Sequence, residues 1–242
     1  MATYVLVHGA WHSGDLLEDV AKFIRAAGHT VHAPTLAGNG PGDSKQTGLD
    51  EAIGSLVDYF SANRITDAIL LGHSYGGMAI TGAADRLPQG TVRRLVYWSA
   101  YVPNDGESLE DISPPMVKEN HLKLRGPDGA LAIPSFEAWR EFLINDADVE
   151  TARKYHVRLN PHPHKTMLDK IRLRRNPAEM SIGKSYIHCQ EDHCYPQSQG
   201  GWHPRFSERL GLFRFLSMPG SHEVCFSNPE LLATKILMAG RD

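Results

Sequence analysis

Gly72-His73-Ser74-Tyr75-Gly76 is the stretch that decides how this chain folds. A short apolar run, Ala68-Ile69-Leu70-Leu71, stands directly before it, and a small-residue helical pattern beginning Gly77-Met78-Ala79-Ile80 directly after it. A strand, a sharp turn carrying a serine and then a helix is the setting in which G-x-S-x-G works as a nucleophile elbow. On so tight a turn the serine hydroxyl stands clear of the sheet's carboxyl edge. Gly72 and Gly76 remove the Cβ atoms that would collide across that turn. The following helix turns its positive N-terminal end toward the serine, which favours negative charge developing there.

Working outward, strands and helices alternate. Thr3 to Val7 reads as a buried strand. Leu16 to Ala27 carries apolar residues at helical spacing and Gly28 is placed to end it. His29 to Ala33 is a second strand, Gly38 to Gly42 a glycine-rich loop and Leu49 to Ser61 a helix. Beyond the elbow helix, which runs to about Leu87, come a strand from Arg94 to Ser99 and two late strands, Lys184 to Cys189 and Leu212 to Met218. Helices are expected near Gln197 to Leu210 and from Pro229 to Met238. This alternation predicts a six-stranded, mostly parallel sheet with helices on both faces and right-handed crossovers. The rhythm breaks between about 104 and 177, where no clear strand appears. A structureless loop of that length is improbable in a compact domain. The segment reads as an inserted helical cap on a single domain spanning 1–242, with Phe136 to Asn145 and Val149 to Val157 as its best helices.

A nucleophilic serine needs a base and a group to orient that base. In G-x-S-x-G enzymes the chain order is Ser, then Asp or Glu, then His, each partner lying beyond the carboxyl end of a later strand. Lys184 to Cys189 runs into Gln190-Glu191-Asp192, and Leu212 to Met218 runs into Pro219-Gly220-Ser221-His222. Ser74, Asp192 and His222 therefore form the expected triad, with Asp192 preferred to Glu191 because it lies further into its turn. The oxyanion hole takes one backbone N–H from Tyr75, after the nucleophile, and one from Ala10 in the loop His8-Gly9-Ala10-Trp11-His12. His12, Trp98, Trp139 and Phe142 are candidate substrate contacts, by proximity in the chain or by position in the cap that roofs the pocket.

Composition bounds the alternatives. The chain has 242 residues, 41% of them hydrophobic, and a formal net charge of -3. That balance leaves no polyanion-binding footprint, so nucleic acid is not an expected partner. No apolar run approaches the length of a membrane span, and the N-terminal residues lack the pattern of a signal peptide. Three cysteines without a C-x-x-C pair argue against a disulfide framework and fit a reducing cytosol. His188, Cys189, Glu191, Asp192, His193 and Cys194 are dense in metal-ligand types but lack metal-site spacing, so no metal is expected there. Pro41, and the lack of a helix immediately after it, argue against a nucleotide site at Gly38 to Gly42. Pro161-His162-Pro163-His164 reads as a stiff cap loop.

His8-Gly9-Ala10-Trp11-His12, Gly72-His73-Ser74-Tyr75-Gly76-Gly77-Met78 and the strand-end Glu191-Asp192 together resemble the plant methylesterase and hydroxynitrile lyase family, salicylate-binding methylesterases and bacterial esterase relatives included. The resemblance covers nearly the whole chain and is weakest in the cap. It implies an α/β-hydrolase fold without extra N-terminal antiparallel strands, a helical cap and frequent homodimers. It also implies the same triad and oxyanion-hole residues. The lyases of that family carry Thr after the strand-end His and Lys after the catalytic His. Gly9 and Glu223 stand at those positions here, and a carboxylate in place of the ammonium disfavours a leaving cyanide. The expectation is a cytosolic, cofactor-independent serine carboxylesterase for a small ester, such as the methyl ester of an aromatic or alicyclic acid. A small-molecule receptor, lyase chemistry and cofactor-free dioxygenation are the competing readings, since fold alone does not fix function.

Overall fold

The computed structural model describes residues 1–195 and 200–241. Six parallel strands form the sheet: β1 (Thr3–Val7), β2 (Thr30–His32), β3 (Ala68–His73), β4 (Val92–Trp98), β7 (Gly183–Cys189) and β8 (Arg214–Met218). They lie in the order β2-β1-β3-β4-β7-β8. In-register pairing runs Val5↔Leu70 and Val7↔Gly72 between β1 and β3, and Tyr97↔Tyr186 between β4 and β7. The strands alternate residue by residue between two buried layers. Val5, Val7 and Leu70 join one core cluster with α2 (Leu49–Ala62) and α3 (Gly76–Arg86). Tyr4, Leu6, Ile69 and Leu71 join the other with α1 (Glu18–Ala26) and α10 (Pro229–Ala239). A sheet buried on both faces is the reason its strands read as continuous apolar runs.

Between β4 and β7 the chain builds the cap. It contains α4 (Leu109–Ile112), α5 (Pro115–Leu124), α6 (Phe136–Phe142), α7 (Val149–His156) and α8 (Lys165–Leu168). Three helices carry explicit N-caps: Ser108 accepts from the N–H of Asp111, Ser135 from that of Ala138 and Asp148 from that of Thr151. The cap also holds a two-residue antiparallel ribbon, β5 (Ala130–Leu131) with β6 (His162–Pro163), where the sequence suggested no strand and a plain stiff loop. Strands this short carry no readable period, and long-range contacts make this one. His162 is fully buried between Asn39 Oδ1 at 2.8 Å and Thr166 Oγ1 at 2.9 Å.

Several boundaries differ from expectation. The first helix begins as a 3-10 turn over Gly14–Leu17 before α1. The expected helix from Gln197 has its first three residues outside the described ones, and its described remainder is turns ending in a 3-10 helix, Ser207–Leu210. Short α9 (Val224–Ser227) precedes α10. Among the described residues no helix is long and apolar enough to cross a membrane.

Candidate active site

The carboxyl ends of β1, β3, β7 and β8 meet at one edge of the sheet and carry the expected triad and oxyanion-hole residues. Ser74 follows β3 with a φ of +52°, a left-handed conformation that a non-glycine residue holds only when its surroundings enforce it. Its own backbone supplies that enforcement. Ser74 N–H donates to Trp98 O at 3.3 Å, while its carbonyl accepts from Gly77 N–H at 3.0 Å and Tyr101 N–H at 3.2 Å. Gly76 permits the turn to close, since a Cβ there would stand 2.7 Å from the carbonyl oxygen of His8.

Beyond β7, Asp192 is 2% exposed, and its Oδ2 lies 2.7 Å from His222 Nδ1. Its other oxygen accepts from Cys194 N–H at 3.0 Å. Glu191 turns away: its side chain accepts from Gly220 N–H and its backbone carbonyl from the Asn145 amide. With Nδ1–H given to Asp192, the imidazole of His222 keeps Nε2 free as a base. Burial of that ring opposes its charge, but the carboxylates of Asp192 and Glu223 outweigh it and the pKa is raised above the ordinary histidine value.

Two other histidines hold the frame, and their roles were not read from the sequence. His8 accepts from Leu36 N–H at 3.1 Å through Nε2, so its Nδ1–H goes to Gly9 O at 2.8 Å. This pins the β1 loop to the segment after β2. Burial lowers its pKa to about 4. His73 donates from Nε2 to the backbone carbonyl of His222 at 3.1 Å and stacks on Trp98 with ring centres 3.8 Å apart. The residue beside Ser74 thus holds the loop that carries His222. Gly9 leaves room for this ring, since a Cβ there would sit 2.9 Å from His73 Nδ1. Trp202, only 1% exposed, stacks on His222 at 5.2 Å and was also missed. A histidine inside a motif, or an aromatic far along the chain, gives no local sign of such contacts.

Ser74, His222, Ala10 and Tyr75 open on one cavity of about 390 Å³. The sheet edge forms its floor, with Trp11, Tyr101 and Cys194 beside the site residues. Cap residues such as Leu109, Val117, Leu124, Ala138, Leu143 and Met167 form the walls, so the space is mostly apolar. Of the expected substrate contacts, Phe142 lines this cavity. Trp98 does not, because it packs beneath His73 and donates to Cys189 Sγ at 3.3 Å. Trp139 is core, 1% exposed against His156 and Phe226. His12 is also outside the lining. Its Nε2 lies 3.3 Å from Glu223 Oε1, and both residues are buried. Glu223, which stands at the lyases' Lys position, thus has a buried histidine as partner. His188 lies beside Phe215 and His203, whereas Asp192 and Cys194 group with His222.

A parallel sheet with a serine elbow, a buried Asp–His pair and a roofed apolar pocket defines a class, and comparison with known proteins agrees. The alpha/beta hydrolase family matches residues 4–235 of this chain, and the chain belongs to that family. It is 44% identical over 117 residues to a carbendazim hydrolyzing esterase from Nocardioides sp. (strain SG-4G), covering 47% of this chain and 48% of the relative. It is 35% identical over 131 residues to methyl jasmonate esterase 1 from Vitis vinifera, covering 51% and 47% respectively. The chain thus spans about half the length of these curated relatives. A solved structure covers all of it: an extracellular alpha/beta-hydrolase from a Paenibacillus species that shares structural and functional homology with tobacco salicylic acid binding protein 2. It is 31% identical, with a TM-score of 0.94 and 100% of both chains covered.

Proposed function

We propose that this protein is a serine carboxylesterase that hydrolyses a small ester through an acyl-enzyme. The reading rests on the 2.7 Å hydrogen bond between Asp192 and His222 beside a serine elbow that opens on the same apolar cavity. His222 Nε2 takes the proton as Ser74 Oγ attacks the ester carbonyl, and the N–H groups of Ala10 and Tyr75 receive the negative oxygen. His222 then protonates the leaving alcohol. Water activated by the same nitrogen cleaves the acyl-enzyme and releases the acid. Asp192 holds the imidazole in the needed tautomer and stabilises its charged form. The sequence needs no metal or organic cofactor.

The apolar walls favour an acyl or alcohol group of modest size, such as an aromatic or alicyclic acid esterified with methanol. The relatives named for carbendazim and for methyl jasmonate extend the panel to an aryl methyl carbamate and an alicyclic methyl ester. Hydrolysis is favoured over cyanohydrin cleavage because Glu223, rather than a cation, follows His222 on the cavity wall. A cytosolic setting suits the three free thiols of Cys189, Cys194 and Cys225. A homodimer, implied by the family resemblance, is tested by light scattering.

The deciding experiment is a panel of methyl and p-nitrophenyl esters of graded size, run on wild type and Ser74→Ala with mass-spectrometric trapping of the acyl-enzyme. Turnover of at least one ester is expected, with the acyl group on Ser74 and a loss of roughly 10⁴ to 10⁶ in kcat in the variant. A variant that keeps a tenth of wild-type turnover excludes the covalent route. Binding without turnover would instead make the protein a receptor.

A further inference from the structure

We propose that Glu110, His121 and His164 form a site for a divalent transition metal of the zinc class, built into the cap. The three residues come from separate cap elements: Glu110 from α4, His121 from α5 and His164 from the turn into α8. Glu110 Oε1 lies 2.8 Å from His164 Nε2 and 3.3 Å from His121 Nδ1, and one ligand atom from each residue lies within 4.8 Å of the others. Two imidazoles and a carboxylate make a zinc-type donor set with a fourth position left over. Metal–ligand bonds of about 2.0–2.2 Å in a tetrahedral site place neighbouring donors about 3.3 Å apart. The two spacings to Glu110 need only sub-ångström adjustment to reach that arrangement, and the two imidazole donors close on each other from a separation within 4.8 Å. On binding, the ion takes the lone pairs of His121 Nδ1 and His164 Nε2, and each ring carries its proton on its other nitrogen.

The surroundings fit this role. His164 is 2% exposed and His121 6% exposed, so water competes poorly for either. Among the described residues His164 Nδ1 has no hydrogen-bond partner, so the ring's side-chain contact is the one from Nε2 to Glu110. His121 lines the main cavity, which supplies a path of entry for the ion. Among the described residues the other compact donor groups, His12 with His73 and Glu223, and Asp192 with Cys194 and His222, each involve residues of the candidate active site. A metal at Glu110 would tie α4, α5 and α8 together. Those helices carry the cavity walls Leu109, Val117 and Met167, so the ion acts on cap order and substrate fit rather than on the ester carbonyl.

The test is titration of chelator-dialysed full-length protein with zinc chloride by calorimetry and with cobalt chloride by visible absorption. One ion per chain is expected, with the cobalt spectrum of a four-coordinate nitrogen–oxygen site and a melting temperature that rises with zinc. Glu110→Gln and His164→Gln should each weaken zinc by more than the ~10–100-fold typical of outer-sphere changes, with p-nitrophenyl ester turnover in metal-free buffer unchanged. Cys194→Ser should bind zinc as wild type does. If Glu110→Gln does not fold by circular dichroism, His164→Gln carries the same reading and His121→Asn is read for zinc affinity alone. Absence of stoichiometric binding, or binding that survives these variants and disappears in Cys194→Ser, overturns the proposal.

Discussion

At the scale of single residues, one bond separates two neighbouring carboxylates. Asp192 bonds to His222, while the Glu191 carboxylate meets a backbone N–H of the Gly220 turn. Asp192→Asn should lower kcat by about 10⁴ by disfavouring the required tautomer, and Glu191→Gln should cost far less. Steady-state rates of the two variants check this, and a reversed ranking would remove Asp192 from the mechanism. Glu223 gives a second prediction. With Asp192 and Glu223 both favouring the charged imidazole, the acid limb of kcat/KM should lie above the ordinary histidine value of about 6.5. Removing one negative charge with Glu223→Gln should move that limb to lower pH. A limb that stays in place would mean that the His12 contact already cancels the charge felt by His222. The meeting of Ser74, Asp192 and His222 at one sheet edge was legible in the sequence because each follows a strand and one belongs to a motif. The wall residues were not, since no spacing tells an aromatic that faces a cavity, such as Phe142, from one that faces the core, such as Trp139.

At the scale of elements, the site depends on how closely the loops after β1 and β3 approach each other. Gly9 lies against His73, whose other nitrogen holds the His222 loop. Gly9→Thr therefore does more than bring in a lyase-like hydroxyl. It should displace His73, destabilise the fold by about 1–3 kcal/mol and lower esterase turnover. Denaturant midpoints and kcat measure both effects. In the double variant with Glu223→Lys, any gain in benzaldehyde release from mandelonitrile should be limited by this displacement. Unchanged stability in Gly9→Thr would show that the ring moves freely. The elements of the sheet could be foreseen because apolar runs and glycine turns are local signals. The β5–β6 ribbon could not: its pairing joins Ala130 to Pro163 across the cap and rests on the burial of His162. The 3-10 start over Gly14–Leu17 was hidden because its buried leucines continue the helical pattern of α1.

Across the whole molecule, histidine burial sets the response to acid. His8 and His73 at the site, and His162 within the cap, have pKa values lowered chiefly by loss of water. A depressed histidine contributes stability that is complete above the unfolded value of about 6.5 and is lost as pH falls toward the folded value. For His8, folded at about 4, that contribution is on the order of 3 kcal/mol. His222 works in the opposite sense, stabilising below about 6.5 and losing that effect as pH rises through its raised value. With three groups against one, the urea midpoint should fall between about pH 7 and pH 4.5, and a flat profile would contradict the burial of these rings. One further consequence follows from the division of the cavity into a floor and walls. The floor comes from strand ends that must keep their spacing for the reaction to run. The walls come from short cap helices that carry none of the reacting groups. Inheritance can therefore revise diet and chemistry separately: drift in the cap offers new substrates to an unchanged reaction, so descendants of one ancestor can part in what they consume long before they differ in how they cleave it.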